Sequence, residues 1–309
     1  MEWTQRLRIR QLQVLVELHR SAHLSQTAAK LGMTQPALSK WLAELESDLG
    51  VPLFERQPKG LVPTVFCDAL IVHARTILAE ILRTQQTIEM MAQGTSGTLA
   101  LGATHAAAGY FVPTAIALLH TQYPDAYVTL TEGVLQAQAQ QLREGSLDYV
   151  IGRMDARVSC DSLRYDELFD DTIRVIAGPS HPLAGQREVA WSQTRQFGWV
   201  GLPEGSQLRS ELGFELAVAA EPPPKVRVET AGLLPTLAML GRTELLGVSS
   251  GRAAKYFCDR GYIAILELPY AGRGSVGMLS RSDSEQTPLR KAFSECVMSL
   301  AKAGTWGAN

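Results

Sequence analysis

The residues best suited to chemistry lie near the N-terminus, in Thr34-Gln-Pro-Ala-Leu-Ser39-Lys40-Trp-Leu-Ala43. Read as a helix, the segment puts Leu38, Leu42, Leu45 and Leu49 on one apolar stripe. Gln35, Pro36, Ser39, Lys40 and Ala43 fall on the other side. Small, polar and basic groups thus fill the first two turns of the outward face. A helix that enters the DNA major groove needs this layout, because its N-terminal residues reach the base edges. Downstream, Gln57-Pro58-Lys59-Gly60 is a turn signal between two short extended pieces. The basic tip, Arg56 and Lys59, suits phosphates or the minor groove.

These groups need a scaffold, and the surrounding pattern supplies one. Segment 7–19 has Ile9, Leu12, Val16 and His19 at helical spacing, an amphipathic helix. Ser25 to Gly32 follows as a short helix with Ser25 as N-cap and Gly32 closing it. Thr34 caps a third helix, Pro36 sits in its first turn where a missing N–H costs nothing, and Gly50 ends it. Two short helices joined by a tight glycine turn form the helix-turn-helix pattern, and the extended pair beside it makes a wing. Thr64 then caps a long helix reaching about Gln93. Along it Leu70, Ala74, Ile77, Ile81, Thr84, Ile88 and Met91 alternate four and three apart, a coiled-coil seam. A second copy of the chain is the economical partner for that face; burial within one globular domain is the alternative.

Gln93-Gly94-Thr95-Ser96-Gly97 reads as a flexible joint. Beyond it, strands at 98–103, 127–131 and 148–152 alternate with helices at 113–122 and 135–144, which predicts a parallel α/β sheet. A second α/β unit starts around 162–168. It has strands near 172–177, 198–202, 226–229 and 245–249 and helices near 207–219, 232–240 and 251–260. A strand near 275–280 and a helix at 287–303 return to the first unit.

Composition excludes several classes. The 309 residues have net charge −2, with 46% hydrophobic and 19% charged residues, an ordinary globular balance for two or three units. Residues 1–62 carry eight Lys/Arg against six Asp/Glu, and the rest 21 against 25. This mild bias permits nucleic-acid contact by the N-terminal part and does not by itself establish it. No apolar run approaches the roughly 18 residues of a membrane helix. The opening Met-Glu-Trp-Thr-Gln-Arg lacks the apolar core of a signal peptide. Cys67, Cys160, Cys258 and Cys296 are far apart and, like the six histidines, show no metal-ligand spacing. No metal or cofactor is expected, and a reducing cytoplasm fits. A redox pair of Cys160 and Cys258 is a second reading.

From His23-Leu-Ser-Gln-Thr-Ala-Ala-Lys-Leu-Gly-Met-Thr-Gln-Pro-Ala-Leu-Ser-Lys-Trp-Leu-Ala-Glu-Leu-Glu46 through Leu-Gly-Val-Pro-Leu-Phe-Glu-Arg56, the chain resembles the LysR-type transcriptional regulators. Echoes at Leu142-Arg-Glu-Gly-Ser-Leu-Asp148 and Ala177-Gly-Pro-Ser-His-Pro-Leu-Ala184 extend the resemblance over the whole length. Within the family it looks nearest to regulators of sugar or aromatic-compound catabolism. The resemblance implies an all-α N-terminal part followed by α/β. Residues 1–64 form a winged helix-turn-helix. Residues 65–93 form a linker helix that dimerises through Leu70, Ala74, Ile77, Ile81 and Ile88. Residues 94–309 form an effector domain like a type 2 periplasmic binding protein, with subdomain I at 97–161 and 268–309 and subdomain II at 162–267. It also implies a homotetramer of two dimers on double-stranded promoter DNA, RNA polymerase as a partner if the protein activates, no membrane, and a bacterial, nucleoid-associated location. Carried over by position, Thr34 contacts phosphate, Gln35 and Pro36 meet base edges, Ser39 and Lys40 meet base or phosphate, and Arg56 contacts the backbone or minor groove. Gln suits adenine, and Lys suits guanine or phosphate. Two departures stand out. Trp41 replaces an expected polar residue, and could pack on the long helix or approach DNA. Cys67 replaces an expected glycine.

In open α/β units ligands sit beyond the C-terminal strand ends. That rule selects Thr104, His105, Gly133, Val134 and Arg153 in the first unit, and Ser206, Gln207, Thr230, Val248, Ser249 and Ser250 in the second. Hydroxyls, backbone N–H groups and two basic side chains suggest a small polar anion, such as a carboxylate or sugar acid. As strand-end chemistry, Arg153 pairs instead with Asp148 or Asp155 at the surface. Two motifs fail on context. Gly247-Val-Ser249-Ser-Gly251 fits a nucleophile elbow, yet a serine esterase of that fold needs a later His and the last is His181. Gly272-Arg-Gly274-Ser-Val-Gly277 fits a dinucleotide fingerprint, but no helix follows it. His181 before Pro182 reads as a turn residue. The resulting expectation is a DNA-binding regulator modulated by a small effector and not an enzyme. Redox-sensing or ligand-independent regulation is the alternative.

Overall fold

The computed structural model describes residues 7–303 apart from 59, 93–96, 156–157, 160, 271, 273 and 285, and without the side chains of 86, 87, 90 and 91. The chain divides into two compact units, Met1–Ile88 with Glu144–Ser146, and Glu89–Arg143 with Leu147–Asn309.

The first unit holds α1 (Ile9–Ser21), α2 (Leu24–Lys30), α3 (Gln35–Leu49), β1 (Phe54–Gln57), β2 (Gly60–Pro63) and α4 (Val65–Ala92). Leu15, Leu18, Leu38, Leu53 and Cys67 are among its most deeply buried side chains. Helix α1 buries Leu12, Val14, Leu15 and Leu18, whereas Ile9 of the expected stripe is half exposed. Helix α2 begins at Leu24, with His23 and not Ser25 in the cap position. The preceding turn is tied by Ser21, whose hydroxyl accepts from His23 N and meets Thr27 Oγ1 at 2.5 Å. Ser25 is thereby drawn into the first helical turn. The caps of α3 are as expected: Thr34 Oγ1 accepts from Ala37 N, and Gly50 closes the helix in the left-handed region.

The wing is an antiparallel two-residue hairpin with Gln57 opposite Gly60. Leu61 N donates to Ala22 O at 2.8 Å, fastening it to the α1–α2 turn. Only glycine fits at position 60, where φ is +134° and a Cβ would lie 2.7 Å from Ala22 O. Glu46 of α3 holds the other edge, its Oε1 accepting from Leu53 N and Phe54 N. Early in α4, Cys67 and Ile71 join this core. Burial pushes the Cys67 thiol up to about 12, so it serves as packing.

The sheets of the second unit are not purely parallel: a five-stranded sheet is mixed, a three-stranded one is antiparallel, and a separate two-stranded one is parallel. The five-stranded sheet runs β4 (Tyr127–Glu132), β3 (Thr98–Ala103), β5 (Tyr149–Arg153), β12 (Gly274–Arg281) and β6 (Leu163–Asp171). The β4, β3 and β5 strands are parallel, while β12 runs antiparallel to both its neighbours. Against it pack α5 (His105–Ala108), α6 (Phe111–Gln122), α7 (Leu135–Arg143) and α11 (Pro288–Ala303). Its core includes Leu101, Phe111, Leu119, Ile151, Val276 and Phe293. Strand β6 corrects one expectation, because residues 163–171 belong by pairing to this first sheet and not to the second half. Thr172 alone separates it from β7 (Ile173–Ala177), the central strand of the second sheet.

Strand β7 pairs antiparallel with β10 (Gly247–Ser250) and with β11 (Ala264–Ile265). Parallel strands β8 (Trp199–Gly201) and β9 (Val226–Glu229) attach through a bridge between Trp199 and Leu246. Around them lie α8 (Gln207–Val218), α9 (Leu233–Leu240) and α10 (Gly251–Asp259). Val175, Trp199, Leu208, Leu246 and Leu266 anchor this core. His181 is buried and not a plain turn residue: its Nδ1 accepts from Leu183 N and its Nε2 donates to Glu244 O.

Candidate nucleic-acid interface and ligand cleft

The outward face of α3 presents Gln35, Pro36 and Lys40 to solvent. The Thr34 cap and Pro36 in the first turn set the start of α3, and so where the Gln35 amide emerges. Ser39 is half-buried because Arg56 Nη2 of the wing donates to its Oγ at 3.1 Å. That bond joins wing and helix into one polar surface. Lys40 Nζ lies 3.8 Å from Glu44 Oε1, a loose and exposed pair worth little. Lys59 falls outside the described residues. Trp41 points elsewhere: it packs on the helix-turn-helix core and lines a groove with Arg8, Val14 and Asp48.

Along α4 the expected seam divides. Ala74 is fully buried, and Leu70 packs on the helix-turn-helix core. Ile77, Ile81 and Ile88 are 45%, 36% and 63% exposed, joined by Leu82 at 56%. Met91 lies among the residues whose side chains are not described.

In the second unit a cavity of about 150 Å³ opens between the two sheets. Of the strand-end candidates, Thr104, His105, Gly133, Val134, Arg153, Ser206 and Gln207 line it. Thr230, Val248, Ser249 and Ser250 do not. Thr230 Oγ1 accepts from Gly232 N ahead of α9. Ser250 caps α10 and donates to Ala106 O, so the space past β10 is filled by α5. Ser249 is buried within β10, and its hydroxyl has no hydrogen-bond partner among the described residues. The lining also includes Glu132, Leu135, Leu202, Pro203, Leu208 and Ala231. Glu132 ends β4 directly before the chosen Gly133, and Leu202 follows β8, so the strand-end rule applied one residue wider finds both.

Arg153 is not a surface residue. It is 1% exposed, and its Nε and Nη2 donate to Glu211 Oε1 and Oε2 at 2.9 and 2.6 Å. Nη2 also donates to Asp171 O at 3.0 Å, and Nη1 lies 3.8 Å from Asp171 Oδ2. Asp148 pairs instead with Arg290. Burial holds the Asp171 carboxyl above its usual range, with Arg153 opposing that shift. Gly274 leaves the room that the guanidinium needs, since a Cβ there would collide with it. The glycine run that mimicked a nucleotide fingerprint therefore serves close packing. His105 Nδ1 donates to Ala231 O at 2.9 Å and lies 3.3 Å from Glu132 Oε1. Thr104 Oγ1, His105 Nε2 and Arg153 Nη1 are buried without a hydrogen-bond partner among the described residues.

Two family models match, one described as the bacterial regulatory helix-turn-helix protein of the lysR family, at residues 9–67, and one as the LysR substrate binding domain, at residues 92–302. The chain belongs to the LysR family. It is a DNA-binding transcriptional regulator with an effector-binding domain. It is 31% identical to the HTH-type transcriptional regulator GbpR of Azospirillum brasilense over 88% of this chain and 79% of that one. It is 29% identical to GalR of Pseudomonas putida over 93% and 72%. Among solved structures, the LysR family regulator CbnR has the same fold (TM-score 0.62, 20% identity, 96% of this chain and 99% of that one). So does the effector binding domain of QuiR, solved in complex with shikimate (TM-score 0.54, 15% identity, 67% and 98%). Among the described residues no helix is long and apolar enough to cross a membrane.

Proposed function

We propose that this LysR regulator grips double-stranded promoter DNA through α3 and the wing. Thr34 would meet phosphate, Gln35 and Pro36 base edges, Ser39 and Lys40 base or phosphate, and Arg56 and Lys59 the backbone or minor groove. The supporting observation is the exposed N-terminal face of α3 joined to Arg56 through Ser39. Its DNA-binding part is residues 1–64 and its linker 65–93. The effector domain covers 94–309 and crosses between halves at Thr172. Exposed Ile77, Ile81 and Ile88 support dimerisation through α4, and two dimers would form a tetramer. RNA polymerase would be a partner if the regulator activates, and the setting is the bacterial cytoplasm.

The effector is a small molecule held in the cavity between the two halves of the second unit. It can switch the protein only by binding one arrangement better than the other. We read the chain as a non-enzyme, since the hydroxyl of Ser249 is buried and no base within hydrogen-bond reach activates it. Selection from random duplexes is expected to enrich a dyad-symmetric site, because symmetric dimers read symmetric half-sites. Enrichment of no sequence, or of a single asymmetric half-site, would refute the DNA-binding mode.

A further inference from the structure

Two basic side chains made an anion the natural ligand from sequence, and the geometry removes the ground for it. The Arg153 guanidinium already faces Glu211 in a two-bond pair, with the Asp171 carboxylate beside it. His105 sits against Glu132, whose carboxylate is part of the cavity wall. Bringing a carboxylate here sets a third or fourth negative group near one guanidinium, in a site lined by Val134, Leu135, Leu202, Pro203 and Leu208. In apolar surroundings an uncompensated charge is strongly disfavoured.

The groups without partners define what is wanted instead. A carbonyl oxygen only accepts, so the bond to Ala231 O places a proton on His105 Nδ1. Its Nε2 has no hydrogen-bond partner among the described residues. Arg153 Nη1 offers a donor, and Thr104 Oγ1 offers either. A carboxylate accepts only, and here it would stand beside the carboxylates of Glu132 and Glu211. An ammonium donates only and cannot serve Arg153. A hydroxyl does both. The apolar walls suit the C–H faces of a ring, and about 150 Å³ holds roughly five waters at about 30 Å³ each, room for one small molecule.

We propose that the cleft binds an electrically neutral, hydroxyl-rich molecule of monosaccharide size, and discriminates against the same skeleton carrying a carboxylate. This deepens the effector-cleft reading and rests on it. Thr104, His105 and Arg153 bind the hydroxyls, and Glu132 repels anions.

The test is thermal melting and calorimetry of the full-length protein. The probes are pentoses, hexoses, and their alditols and lactones, set against the aldonic acids, uronic acids and amino sugars of the same skeletons. All are used at equal concentration, pH and ionic strength. At least one neutral compound is expected to raise the melting temperature by mass action. Its acid is expected to bind about 10-fold or more weakly, a difference of about 1.4 kcal/mol per factor of ten. In Glu132→Gln that gap should narrow several-fold. An acid or amino sugar binding as well as its neutral counterpart would overturn the charge rule while leaving the cleft as the sensing site. Silence from every compound would overturn both, and duplex selection would still test DNA binding independently.

Discussion

The face of α3 and the cleft between the two sheets are built on opposite designs. On α3 the binding groups come from one short stretch and stand exposed, and they are held mainly by backbone geometry: a Thr34 cap, a proline in the first turn, a glycine at the end. In the cleft they come from segments as far apart as His105 and Ala231. His105 and Arg153 among them are buried and are held by bonds to Ala231 and Glu211. Past its cap, the first kind of site can lose a side chain with little consequence for the fold. At Arg153 the second cannot, because that side chain also ties Glu211 and the Asp171 backbone in place.

Substitutions should separate the two designs. The largest effect is expected at Arg153→Ala, which strands Glu211 and Asp171 in the interior. Unfolding of the effector unit should become easier by about 3–5 kcal/mol, the usual loss when one member of a buried pair is removed. Urea titration followed by circular dichroism would measure it, and Arg153→Met with Glu211→Leu should recover much of the loss. If Arg153→Ala melts like the wild type, the contrast is wrong. Next is Gln35→Ala, expected to weaken operator binding by about 1–3 kcal/mol while leaving stability within about 0.5 kcal/mol. Fluorescence anisotropy and melting read the two sides. Thr34→Ala sharpens the comparison, since the cap serves fold and interface together: about 1 kcal/mol of stability should go with it. Arg56→Ala is expected to weaken specific and random duplexes alike and to reduce the salt slope by about 1.

The smallest effect concerns pH and lies away from both sites. Burial holds His181 below its ordinary value of 6.5. Its neutral form is matched to its neighbours, because Nδ1 accepts from Leu183 N while Nε2 donates to Glu244 O. The unfolded chain therefore takes up a proton near His181 more readily than the folded one. Stability from this residue is full above pH 6.5 and declines as pH falls below it. His181→Gln should flatten that decline in melting curves taken between neutral and mildly acid pH.

How much could be read in advance follows the same divide. Helix α3, its caps, the wing turn and the long α4 were legible because each signal is local. Four of the eleven cleft candidates missed: Thr230 through a local bond to Gly232, Val248 and Ser249 through burial in their strand, and Ser250 through a distant contact. Nothing near Ser250 announces that Ala106 fills the space beside it. Nothing near Arg153 points to Glu211, 58 residues on. Strand β6 went unread for a related reason. Its sequence, with Asp166, Glu167, Asp170 and Asp171, has poor strand propensity. It is a strand because β12 pairs with it from 110 residues away, as the Tyr165 to Ser275 hydrogen bond marks. The misread start of α2 shows that even a local cap can be overridden by a neighbouring hydroxyl.

Thr172 gives the effector unit its mechanics. One residue turns the last strand of the first sheet into the central strand of the second, and Asp171 clamps that point by accepting from Thr172 N and Arg252 N. The same carboxylate lies beside Arg153 in the cavity wall. An effector in that cavity would thus sit near the crossing point and not at the outer end of either half. A displacement of a few tenths of an ångström at such a pivot becomes a rotation, and rotation grows into travel with distance from its axis. A small ligand beside Arg153 would therefore act close to the point where the chain crosses between the halves.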